Sequence, residues 1–67
     1  MTEPKYPEAS VKLVGEDGNA FSILGRVQRA LREAGVPDDE VRAFVDEATS
    51  GDYNALLRTV RRWVEVR

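Results

Sequence analysis

Arg61-Arg62-Trp63-Val64-Glu65-Val66-Arg67 decides between two folds. Taken with the residues before it, Trp63 and Val64 prolong an apolar stripe of Tyr53, Leu56, Leu57 and Val60 that recurs at helical spacing. Taken alone, Trp63 to Val66 is rich in strand formers. The deciding consideration lies near the other end of the chain. There Val11-Lys12-Leu13-Val14 is a short β-favouring run closed by the turn-rich Gly15-Glu16-Asp17-Gly18. A lone strand would leave its backbone groups unpaired, and Trp63 to Val66 is the one other segment suited to pair with it. The expectation is an α+β domain in the order β-α-α-α-β, three short helices on one face of a minimal two-stranded sheet, with the pairing direction open. A helix unbroken from Asp52 to Arg67 would instead give an all-α three-helix bundle.

Between the two strands the helices announce themselves. Asn19 stands where an N-cap is needed, and Ala20, Ile23, Leu24, Val27, Leu31 and Ala34 share one helical face, with Phe21 expected to widen it. Gly25 inside this helix suggests a close backbone neighbour, and Gly35 supplies the left-handed stop. Pro37-Asp38-Asp39-Glu40 opens a second helix, its acids suited to the positive N-terminal dipole, with Val36 placed to staple onto Val41. Val41, Phe44, Val45 and Ala48 continue it to Gly51. Asp52 caps the third helix. The expected core is Val11, Leu13, Ile23, Leu24, Val27, Leu31, Val41, Phe44, Val45, Leu56, Leu57 and Val60. Residues 1–9, with Pro4 and Pro7 and no apolar period, are expected to be a disordered arm, leaving 10–67 as a single small domain.

Composition removes most chemistry. The 67 residues contain no Cys and no His, so disulfides, thiolate nucleophiles, histidine bases and ordinary zinc or copper sites are excluded. Ser10, Ser22 and Ser50 have no histidine to activate them. Asp38, Asp39 and Glu40 fall at a helix start expected to be exposed, where a carboxyl is not driven toward acid catalysis. Glu16-Asp17-Gly18-Asn19 lacks the alternating ligands and distal Glu of a calcium loop, and its acids would repel phosphate. No enzyme activity, cofactor, metal or small-molecule substrate is expected. The first ten residues are no secretory signal, and no apolar run approaches a membrane span, so the cytoplasm is the default location.

The motifs Val11-Lys12-Leu13-Val14-Gly15, Asp17-Gly18-Asn19-Ala20-Phe21, Ser50-Gly51-Asp52-Tyr53 and Arg62-Trp63-Val64 together resemble a group of short uncharacterised bacterial and phage proteins. The likeness covers most of residues 11–66. It implies a self-contained unit of bacterial or mobile-element origin and brings no activity or catalytic residue with it.

Charge is more informative than any motif. The net charge of −2 divides unevenly, with the second helix strongly acidic and its two neighbours basic. Arg58, Arg61 and Arg62 stand at i, i+3 and i+4 on one side of the third helix. Tyr53 and Trp63 continue its apolar stripe, as core residues or as aromatic anchors for a partner. These five residues are the candidate interaction surface. The leading expectation is a non-enzymatic interaction module, accessory or regulatory, that binds another protein or itself. A small domain without disulfide or metal also has reason to self-associate. The alternative is nucleic-acid binding through the three arginines, against which stand an overall pI near 5.0 and the acidic second helix.

Overall fold

Asn19, Gly35 and Asp52 punctuate the chain much as their chemistry requires. The computed structural model describes residues 3–13, 15 and 18–67. It contains β1 at Tyr6–Val11, α1 at Ala20–Glu33, α2 at Asp38–Ala48, α3 at Tyr53–Trp63 and β2 at Val64–Val66. The order is β-α-α-α-β.

The start and end of α1 and the start of α3 have identifiable causes. The Asn19 side chain accepts from the Phe21 N–H at 2.8 Å, and the Asp52 carboxylate accepts from the Ala55 N–H at 2.9 Å. At the end of α1, Gly35 takes φ +86°, its N–H reaches the Arg32 carbonyl, and the Val36 N–H reaches the Leu31 carbonyl. Those two bonds form a Schellman stop, and the accompanying apolar residues Leu31 and Val36 are both buried. α2 has no side-chain cap; Asp38, Asp39 and Glu40 occupy its first turn.

The sheet is parallel, with Tyr6 opposite Val64, Ser10 opposite Glu65 and Val11 opposite Val66, and an irregularity between Tyr6 and Ser10. Its first strand lies earlier than the sequence suggested. Residues 6–9, expected in the disordered arm, belong to β1, whereas Val14, placed at the end of the expected strand, lies outside the described residues. So do Met1 and Thr2 of the arm and Glu16 and Asp17 of the expected turn. Pro7 is tolerated because it falls in the irregular stretch of an edge strand, where no regular ladder bond is lost. Beyond it, Ala9 and Val11 point into the core while Glu8, Ser10 and Lys12 are exposed, the two-residue period of a one-sided strand. The second strand begins at Val64, directly after Trp63 closes α3, so Trp63 is helical and only Val64 to Val66 is strand.

The core joins all five elements. Phe44, Leu31, Val27, Val41, Val60 and Val64 have their side chains essentially sealed from solvent, and Val64, Ala9, Val36, Ala48 and Trp63 lie beyond the expected set. Leu13, Val45 and Leu57 are only partly buried, packed at its margin. Two further expectations fail. Phe21 is 84% exposed because it lies one position off the buried stripe Ile23–Leu24–Val27–Leu31. Gly25 has no close neighbour: a Cβ there would meet nothing within 4 Å.

Candidate functional site

Helical geometry builds a cleft along α3. Ala55, Arg58, Thr59 and Arg62 are spaced at i, i+3, i+4 and i+7 and so form one stripe, which faces Glu47 and Ser50 at the end of α2. With Arg61 at its border they line an open recess of about 400 Å³. The three arginines singled out from the sequence therefore do meet at one place.

They are not equivalent. The Arg62 guanidinium forms an ion pair with the Glu47 carboxylate and donates to Thr59 Oγ1 at 3.3 Å. The other Glu47 oxygen accepts from Trp63 Nε1 at 3.3 Å. Glu47 thus ties the end of α2 to two consecutive residues of α3 and neutralises one of the three cations. Among the described residues, Arg58 and Arg61 take part in no hydrogen bond or ion pair and are exposed. The cleft carries two uncommitted positive charges.

The two aromatic candidates lie elsewhere. Trp63 is 6% exposed; its ring packs edge-on to Phe44 with centroids 5.7 Å apart and tilted against Tyr6 at 5.9 Å. It is a core residue and presents no anchor to a partner. Tyr53 is 45% exposed, and its hydroxyl donates to the Gly18 carbonyl. It lies on the opposite flank of α3 from Arg58 and Arg62, beside a small apolar recess shared with Phe21, Leu24 and Leu56.

A second polar cluster was not foreseen. Lys5 Nζ is 2.8 Å from Glu40 Oε1, the Tyr6 hydroxyl donates to that same oxygen at 2.8 Å, and Lys5 stands 4.4 Å above the Trp63 ring. The Lys5 and Tyr6 hydrogen bonds hold the Glu40 carboxyl below its usual range, while the bond to Glu40 raises both Lys5 and Tyr6. These directions oppose acid–base catalysis, which needs a lysine pushed down or a carboxyl pushed up. The cluster is a clasp between β1 and α2. Glu40 does more than complement a helix dipole, and Lys5 is not part of a loose arm. Reading Lys5 and Tyr6 as arm hid the clasp. The available signal was a Lys-Tyr pair in a segment whose next residues alternate apolar and polar.

Among the described residues no group of acidic side chains is arranged to hold a metal ion, and no helix is long and apolar enough to cross a membrane. No protein family, curated protein or solved structure matches the chain.

Proposed function

We propose that the protein is a small non-enzymatic interaction module, accessory or regulatory and cytoplasmic, whose α3 cleft holds an acidic segment of a protein partner. The observation that carries this reading is the pair Arg58 and Arg61, exposed beside an open recess and unpaired among the described residues, while Arg62 is held by Glu47. Two cations beside an open recess suit carboxylates presented by a peptide. Such contacts favour encounter and orientation more than raw affinity, which fits a weak and reversible association.

The nucleic-acid alternative rests on the same arginines and is weakened by the geometry. Losing Arg62 to Glu47 leaves two phosphate contacts, and the acidic α2 forms the opposite wall. Duplex binding ordinarily draws on several more cations.

Fluorescence anisotropy separates the two. A labelled Glu-rich decapeptide and a labelled 20-base-pair duplex, each at low salt, are titrated with the protein. Arg58→Ala with Arg61→Ala should weaken peptide binding by about tenfold, the equivalent of roughly 1.4 kcal/mol. Absence of peptide binding at high micromolar protein would refute the reading. Tight duplex binding with a steep salt dependence, lost in the same variant, would replace it with the nucleic-acid one.

A further inference from the structure

β1 has a second edge. Val11 accepts from the Arg67 N–H at 2.8 Å, and Leu13 donates to the Arg67 carbonyl at 3.1 Å, so the backbone polar groups of Val11 and Leu13 face β2. Along an extended chain successive residues turn these groups to alternate sides, which sends those of Ser10 and Lys12 outward. Among the described residues the sheet has two strands and none lies beyond β1. An open edge of this kind is a template for another strand.

The charges along this edge say which strand. Two shallow recesses, about 200 and 270 Å³, run between β1 and α1 and share Ser10, Ala30 and Glu33. One continues past Glu8, the other past Lys12, Arg26 and Arg29. Arg29 and Glu33 pair loosely at 4.0 Å, so the edge is negative at one end, at Glu8, and positive at the other, where Lys12 lies beside Arg26. Ser10 lies midway. A surface that pairs with its own copy across a two-fold axis must be self-complementary, because every residue meets its symmetry mate's neighbours in reverse order. Glu8-Ala9-Ser10-Val11-Lys12 satisfies this condition about Ser10.

We propose that β1 pairs antiparallel with β1 of a second copy, across a two-fold axis at Ser10, joining two two-stranded sheets into one of four strands. Ser10 then faces the partner's Ser10, Glu8 faces the partner's Lys12, and Lys12 faces the partner's Glu8. All three residues are exposed on the same side of β1, while Ala9 and Val11 stay in the core. Pro7, which has no N–H, ends the pairing at Glu8. A two-stranded sheet is marginal by itself, and the pairing supplies each β1 with a neighbour on both sides. The net charge of −2 per chain opposes association only weakly at physiological salt. This surface shares no residue with the arginine cleft and does not depend on what that cleft binds.

Sedimentation velocity across a concentration series, from about 1 to about 500 µM, tests it. The mass should rise toward twice 7.5 kDa. Lys12→Glu alone, or Glu8→Lys alone, puts like charges opposite each other twice per dimer and should weaken association by about tenfold or more. The double variant E8K/K12E restores opposite charges and should recover the dimer. An equimolar mixture of K12E with E8K should also recover it, as a heterodimer. Far-UV circular dichroism confirms that each variant is folded. A monomer at every concentration overturns the proposal, and so does a dimer that ignores the single reversals, since association would then use another surface such as the Phe21 recess.

Discussion

Replacing each of the two phenylalanines in turn tests the assignment of the core. Phe44 has no solvent exposure and stands edge-on to Trp63, whereas Phe21 is 84% exposed. Truncating a buried Phe to Ala typically costs about 3–5 kcal/mol, from lost transfer energy plus the cavity left behind. A domain of this length has roughly 3–10 kcal/mol in total, taking about 0.05–0.15 kcal/mol per residue. Phe44→Ala therefore removes about a third of the stability at the upper end of that range and all of it at the lower end. Phe44→Leu keeps most of the volume but loses the aromatic pair, worth about 0.5–1.5 kcal/mol, and some shape complementarity. A loss of about 1–2 kcal/mol is expected, or a melting temperature lower by roughly 4–16 °C. Phe21→Ala should stay within about 0.5 kcal/mol of the parent. Urea titrations followed by Trp63 fluorescence, the single indole in the chain, measure all three. If Phe21→Ala costs as much as Phe44→Leu, or Phe44→Ala melts with the parent, the placement of the core is wrong.

The clasp gives stability a dependence on acid and base. Glu40, held below its ordinary value of 4.5, contributes stability above that pH which is lost as pH falls through the lowered folded value. Glu40→Gln should flatten the acid limb of a stability–pH profile, and an unchanged limb would show that the clasp does not form in solution. Lys5 and Tyr6, raised above 10.5 and 10.0, contribute below those values and lose their contribution as pH climbs past the folded ones. Thermal melts in strongly alkaline buffer should therefore show a second decline, reduced in a Tyr6→Phe variant. The caps make a simpler claim: Asp52→Ala and Asn19→Ala should each cost about 0.5–2 kcal/mol in chemical denaturation, with Asp52→Asn nearly silent.

What the sequence revealed of this architecture follows from where local chemistry is decisive. Asn19, Gly35 and Asp52 satisfy or end helices through bonds to residues at most a few positions away, so their roles are readable without the fold. The pairing of Val64 to Val66 with the first strand was accessible for another reason: unpaired backbone must find a partner, and only one was available. β1 was harder. Pro7 and the weak strand former Ala9 obscure a period of two that runs through Ala9, Val11 and Leu13. The direction of the sheet depends on the path of three helices, which no short segment encodes. The arginine stripe was visible as spacing, but its division into one committed and two uncommitted cations depends on Glu47, which approaches across the α2–α3 interface. Trp63 could be read as core or anchor until Tyr6, Phe44 and Glu47 were seen to surround it.

Because β1 pairs with a strand that follows all three helices, the sheet closes last in the order of synthesis. At about 5–20 residues per second, roughly fifty residues must be translated between the two strands, which leaves β1 without its mate for several seconds. The helices, whose contacts are mostly between neighbours along the chain, can gather in that interval. The sheet must then find its register across the full loop, a closure whose entropy has to be met before its contacts repay it. Pulse-labelled amide exchange on refolding protein should accordingly protect the α2–α3 hairpin before Val11 and Val66.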